Sequence, residues 1–161
     1  KTKEYYDDYS ASISKISAEF VMKNLKKIFD DVDILVEALI NNGIAMAITN
    51  SSRPCSGSEH MFSHAIDKLS LKYGFEKALH GEQCGVGTII SAYLHKADWK
   101  KIKKSLKNIN APVNAYDLKI EKKYIIEALK LAPKIRNRYT IFNKYDIEKN
   151  AEKILTESEI I

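Results

Sequence analysis

Apolar side chains recur at steps of three and four through most of the chain. Between Ser10 and Phe29 they fall at Ile13, Ile16, Phe20, Val21, Leu25 and Ile28, one face of an amphipathic helix. Lys15, Glu19, Lys23, Lys26 and Lys27 lie mostly on the other side. Asp30, Asp31 and Asp33 break the pattern and offer caps to the helix that follows. From Asp33 to Ile48 the chain is apolar on nearly every side, which predicts a helix buried in a bundle. Gly43 inside it costs about 1 kcal/mol relative to alanine. That cost implies close approach by a neighbouring helix or a bound group.

The clearest loop is the small, polar stretch from Asn50 to Ser58, with Pro54 and Gly57 in it. Ser58 and Glu59 open a helix running to about Lys72, with Phe62, Ala65, Ile66, Leu69 and Tyr73 as its apolar face. Gly74 ends it, and His80 opens the next, carrying Val86, Ile89, Ile90, Tyr93 and Leu94. Gly85 and Gly87 sit early in that helix, where glycine is a poor helix former, so something is expected to pack on the backbone. Lys96 to Lys107 reads as a short basic helix with Trp99, Ile102 and Leu106 inward. Glu121 to Leu131 and Tyr145 to Leu155 are two more helices, and Arg138 to Phe142 is a short extended candidate. No alternation is strong enough for a sheet. The expected fold is an all-α bundle of six or seven helices, one helical domain over residues 1–161.

Length and composition fit that picture: 161 residues, 45% hydrophobic and 29% charged, make a globular chain of one domain. No apolar run is long enough to span a membrane, so no membrane insertion is expected. Two cysteines, Cys55 and Cys84, form no Cys-x-x-Cys pair and read as reduced thiols of a cytoplasmic protein. The net charge of +5 is almost all lysine, with arginine only at 53, 136 and 138. Nucleic-acid readers favour arginine forks against base edges, so no nucleic-acid partner is expected. The chain begins at Lys1 without an initiator methionine, as a piece of a longer polypeptide would.

Three of the four histidines lie between Ser58 and Gly81. His60 and His64, four apart, share one face of a helix, and His80 follows a turn that would bring it back. Two helix-borne imidazoles and one across a turn can close around an ion of the zinc type. The same spacing is also that of a solvated surface pair, and the order here is not His-Glu-x-x-His. Arg53, in the polar loop just upstream, suits a phosphate or carboxylate; a solvent-exposed loop arginine reads equally well. No Gly-x-Gly-x-x-Gly and no Walker loop is present.

The block Ser52-Arg53-Pro54-Cys55-Ser56-Gly57-Ser58-Glu59-His60-Met61-Phe62-Ser63-His64-Ala65-Ile66-Asp67 resembles the sn-glycerol-1-phosphate dehydrogenases. So does His80-Gly81-Glu82-Gln83-Cys84-Gly85-Val86-Gly87-Thr88-Ile89, and, less specifically, Tyr9-Ser10-Ala11 and Arg138-Tyr139-Thr140-Ile141. These enzymes belong with the iron-containing alcohol dehydrogenases, glycerol dehydrogenase and dehydroquinate synthase. The resemblance implies a C-terminal helical, metal-binding domain whose N-terminal Rossmann-like nucleotide domain lies outside this chain. It implies His60 and His80 as metal ligands, with a third ligand, an aspartate, upstream of Lys1. His64 would be the catalytic and substrate-contacting histidine. Ser52 and Arg53, at their motif position, would help select a substrate phosphate.

The implied reaction is zinc- and NAD(P)H-dependent reduction of dihydroxyacetone phosphate to sn-glycerol 1-phosphate, for archaeal membrane phospholipids. Cofactor-binding residues are expected on the nucleotide domain, which would be this chain's own partner. Apolar helical surfaces make a homo-oligomer plausible. Two alternatives stay open: a glycerol or polyol dehydrogenase using the same histidines, and a non-catalytic helical binding module built on the lysines between Lys100 and Lys107.

Overall fold

The computed structural model describes residues 5–161, and the described residues are helical with no strand. Seven α-helices follow one another: α1 (Asp8–Lys23), α2 (Asp33–Thr49), α3 (Ser58–Tyr73), α4 (His80–Leu94), α5 (Trp99–Asn108), α6 (Lys122–Leu131) and α7 (Ile147–Glu157). Short 3-10 turns lie at Arg53–Cys55, Ala132–Lys134 and Ile141–Lys144. The all-α expectation holds. The chain divides into two compact units, Lys1–Gly57 and Ser58–Ile161.

In the first unit α1 packs on α2, and the Arg53–Cys55 turn packs on both. Asp7 caps α1, its carboxylate accepting the Ser10 N–H at 2.7 Å. The residues α1 buries fully are Ser10 and Ser17, whereas Ile16 stays exposed. The Ser17 hydroxyl satisfies itself on the Ile13 carbonyl at 2.9 Å. Small serines let two helices approach closely, and Ile13 and Phe20 are half-buried around them.

The expectation that α2 is buried all round does not hold. Ile34, Ala38 and Ala45 are buried, but Val36, Leu39, Ile40, Ile44 and Ile48 are exposed. Hydropathy sets how much surface a helix would hide; the number of neighbours sets how much it does, and within this unit α2 has two. Gly43 has no neighbour within 4 Å of the Cβ position it lacks, so no close approach explains it.

The second unit holds a core of its own. Met61, Phe62, Ile66, Val86, Ile89, Ile90, Ile125, Leu129, Phe142 and Leu155 are buried together, with Trp99, Ile102 and Leu106 packed against them. Helix α3 packs on α4 and α6, α4 on α5, and α6 on α7. Gly74 ends α3 with φ +73, the left-handed region that glycine enters without a Cβ penalty. Its N–H donates to the Ser70 carbonyl at 2.8 Å, and the chain then turns to begin α4 at His80.

The stretch from Arg138 to Phe142, expected to be extended, instead runs into the 3-10 turn Ile141–Lys144. The Thr140 N–H donates to Asn143 Oδ1 at 2.8 Å, a local bond that closes the turn.

Gly87 is where α3 and α4 touch. A Cβ there would stand 2.9 Å from Glu59 Cα and from the Glu59 carbonyl oxygen. Gly85, by contrast, makes only ordinary contact with Leu106, at 3.6 Å. Gly87→Ala gains about 1 kcal/mol of helix propensity, but the atoms in the way are backbone and cannot step aside. The expected net effect is a loss of about 1–2 kcal/mol, read from the urea midpoint. A more stable variant would mean that the helices separate freely.

Candidate metal centre

The three histidines meet. Helix α3 presents His60 and His64 one turn apart, and the reversal at Gly74 returns His80 to them at the start of α4. Ring centroids are 5.2 Å apart for His60 and His80, 5.7 Å for His64 and His80, and 6.5 Å for His60 and His64. Two sets of donor atoms lie within 4.8 Å of one another: His60, His80 and Cys84, and His64, Asp67 and His80.

Hydrogen bonds around the cluster fix which nitrogens are available. Gln83 is fully buried, and its Nε2 donates to the Ala78 carbonyl at 2.8 Å. Its Oε1 is therefore left to accept from the Ser63 hydroxyl at 2.6 Å. With its proton committed, the Ser63 oxygen accepts from His80 Nδ1 at 2.9 Å. His80 thus donates from Nδ1, and its Nε2 faces Cys84 Sγ at 3.5 Å. His60 Nδ1 lies 2.8 Å from Glu59 Oε1; a carboxylate accepts, so His60 donates from Nδ1, and Nε2 is the nitrogen that this bond leaves unengaged. Both imidazoles have the outer-shell partner that orients a metal-binding histidine.

His64 is held differently. Its Nε2 is 3.4 Å from Arg136 Nη2, and its Nδ1 is 3.8 Å from Asp67 Oδ2. Asp67 in turn pairs with Lys77 at 2.8 Å. Burial, and then the Arg136 cation, lower the His64 pKa from its ordinary value; the nearby Asp67 only partly offsets them. His64 therefore stays neutral near neutral pH. Burial pushes the Cys84 thiol up to about 11, with some relief from Ser63.

Ser52 and Arg53 belong to the first unit, where Arg53 opens its 3-10 turn. There Arg53 lines a cavity of about 470 Å³ with Tyr5, Tyr6, Asp7, Thr49 and Ser51. Four residues at the histidine cluster escaped the sequence reading. Cys84 had a signal: His80 and Cys84 are four apart, the same spacing that joins His60 to His64. Ser63 and Gln83 look like polar interruptions of apolar helix faces, and only packing shows them as one chain of bonds. Arg136 is far from His64 in sequence and had no local signal.

Ser63→Ala is expected to lower zinc affinity about 10–100-fold, as loss of an outer-shell partner does. A zinc titration beside a urea melt checks this. Unchanged affinity would mean that Ser63 does not set the His80 tautomer.

No family model matches the chain. It is 52% identical over 153 residues to the glycerol-1-phosphate dehydrogenase (NAD(P)+) of Thermococcus sibiricus, covering 92% of this chain and 43% of that one. To the protein of the same name in Methanosarcina mazei it is 48% identical over 163 residues, covering 98% of this chain and 45% of that one. The Pyrococcus abyssi protein of that name is 48% identical, again over 92% of this chain and 43% of its own length. The chain thus spans less than half the length of the curated relatives it matches.

Proposed function

Because this chain belongs to the glycerol-1-phosphate dehydrogenase family, we propose that it is the C-terminal helical, metal-binding part of such an enzyme. The whole protein reduces dihydroxyacetone phosphate with NAD(P)H to sn-glycerol 1-phosphate, the backbone unit of archaeal membrane phospholipids. The observation that carries this reading is the pairing of His60 and His80 across α3 and α4, each held by a bond at its own Nδ1 that leaves Nε2 as the nitrogen for an ion. Two oriented imidazoles suit zinc, nickel or iron, and on this reading the native ion is Zn²⁺.

Bound by His60 and His80, such an ion would supply Lewis acidity to a ketone oxygen. NAD(P)H, held by an N-terminal nucleotide domain outside this chain, would supply the hydride. The rest falls to this chain's side chains. His64, neutral and adjacent, contacts the substrate and relays the proton that the reduced oxygen takes up. Two cations are candidates to hold the phosphate: Arg53, with Ser52 beside it, in the reading of the motif, or Arg136 by its position next to His64. An arginine fork matches a phosphate through two hydrogen bonds at once. No described helix is long and apolar enough to cross a membrane; on this reading the enzyme is cytoplasmic and acts on a small, charged substrate. Exposed Val36, Leu39, Ile40 and Ile44 on α2 agree with a homo-oligomer or with cover from another part of the protein.

The test follows NAD(P)H oxidation by the polypeptide at its natural length. The proposal expects turnover of dihydroxyacetone phosphate far above that of dihydroxyacetone. Turnover of the unphosphorylated ketone alone would assign the protein to the polyol dehydrogenases. Arg136→Ala and Arg53→Ala distinguish the two candidates. Each residue that holds the phosphate raises KM for dihydroxyacetone phosphate about tenfold or more when removed, since a charge-assisted hydrogen bond is worth about 1.5–3 kcal/mol. A variant with KM unchanged has lost no phosphate contact.

A further inference from the structure

The lysines between Lys100 and Lys107 have no part in the proposed chemistry, and the structure sorts them. From Trp99 to Asn108, α5 carries five lysines and no acid. That excess equals the net charge of the whole chain, +5. Trp99, Ile102 and Leu106 pack onto the core of the second unit. By helical geometry Lys100, Lys101, Lys104 and Lys107 leave the opposite side, and all four are exposed. They lie along about 10 Å of helix. Lys103 is set apart: its ammonium donates to the Glu159 carbonyl and to the Glu159 carboxylate, each at 2.8 Å. It ties α5 to the residues that follow α7. Nearby acids are committed, since Glu159 holds Lys103 and Asp98 caps α5 by accepting the Lys101 N–H at 3.0 Å. Lys100 stands 5.5 Å from the centroid of the Trp99 ring. Among the described residues, Lys101, Lys104 and Lys107 form no ion pair.

Such a row works against the helix that carries it. Lys100 and Lys104, like Lys104 and Lys107, are like charges one turn apart. Lys100 and Lys101 also sit in the first turn, at the positive end of the helix dipole. A helix that needed only solubility would mix signs, as α7 does: Lys153 pairs with Glu157 at 3.9 Å and Lys149 with Asp146 at 3.5 Å. An unmixed row of ammonium groups suits a surface of fixed negative charge. It offers no arginine fork to base edges, and its one aromatic, Trp99, packs on the core rather than standing open to stack on a base. An anionic bilayer asks only for several lysines on one helix face, within a Debye length of the headgroups. We propose that the Lys100, Lys101, Lys104 and Lys107 face of α5 docks the protein on the surface of a membrane rich in anionic lipid. The apolar residues of α5 are turned the other way, so the protein lies on the headgroups and does not enter the hydrocarbon. The inference does not depend on the metal centre. On the proposed function, docking would release a lipid precursor beside the membrane that uses it.

Vesicle sedimentation tests this with the polypeptide at its natural length. The probes are sucrose-loaded vesicles of phosphatidylcholine alone and of an equal mixture of phosphatidylcholine and phosphatidylglycerol. The proposal expects binding to the mixed vesicles at about 0.1 M salt and none to phosphatidylcholine. It expects release at about 1 M salt, where the Debye length shrinks from about 10 Å to about 3 Å. Each lysine near such a surface is worth roughly a fivefold factor in partitioning, so Lys101→Gln/Lys104→Gln is expected to bind about 25-fold more weakly, with an unchanged helical circular dichroism signal. Lys149→Gln/Lys153→Gln removes the same charge from the mixed surface of α7 and should bind as the native protein does. The salt and lipid arms use the native protein alone, so they decide the matter even where a variant is unstable. No binding to the mixed vesicles, binding indifferent to salt, or equal losses in the two double variants would overturn the proposal. So would tighter binding to a mixed-sequence DNA duplex than to the vesicles, which would assign the face to nucleic acid.

Discussion

On the proposed function, His60→Ala is expected to lower kcat/KM for dihydroxyacetone phosphate by about 10³-fold or more in the polypeptide at its natural length. Polarisation of a carbonyl by a bound divalent ion is worth several kcal/mol in the transition state, and each 1.36 kcal/mol is tenfold in rate. On that proposal His60 would supply one of the two imidazole nitrogens oriented for the ion, and Glu59 would be left with nothing to orient. The loss should appear in kcat as well as in KM, because Lewis acidity acts on charge that develops during reaction. His95→Ala is the control. The fourth histidine is exposed, just past the end of α4, so its removal should leave turnover unchanged. A loss below tenfold in His60→Ala, with the fold intact, would place the chemistry elsewhere.

The largest expected effect on stability lies away from the site. Phe142 is 0% exposed and sits in the 3-10 turn that packs on α4. Phe142→Ala removes the ring's burial and leaves a cavity that a turn pinned by Thr140 and Asn143 cannot close. The expected cost is about 3–5 kcal/mol, a large share of the roughly 5–15 kcal/mol that holds a domain folded. Urea denaturation measures it. Residual zinc affinity per folded molecule should stay near native, since Phe142 is not among the residues holding His60 or His80. A cost below 1 kcal/mol would mean that the turn repacks, contrary to a core shared with α4.

Much of the second unit was legible in the sequence, because its signals are local. Ser58 and Gly74 bracket α3, the apolar steps from Val86 to Leu94 define α4, and the His60/His64 spacing follows from helical geometry alone. What was missed depends on partners. The apolar residues of α2 suggested burial on all sides, yet a helix hides only the faces its neighbours cover. Gly43 and Gly87 look alike in sequence, but only Gly87 has a backbone against it. The Arg138–Phe142 stretch has β-forming residues, and one side-chain bond from Asn143 bends it into a turn. At the site, the resemblance named His60, His64 and His80, which the structure brings together. It gave no role to Ser63, Gln83 or Arg136, since these act through contacts that join separate helices or distant stretches of chain.

The most direct test of the account is the metal content of the natural-length protein after exhaustive dialysis. Elemental analysis of the native protein and the His60→Ala/His80→Ala double variant is read beside their helical circular dichroism. The account predicts one divalent ion per native chain, none in the double variant, and the same helical signal in both. An ion retained by the double variant, or none in a native protein that reduces dihydroxyacetone phosphate, would contradict it.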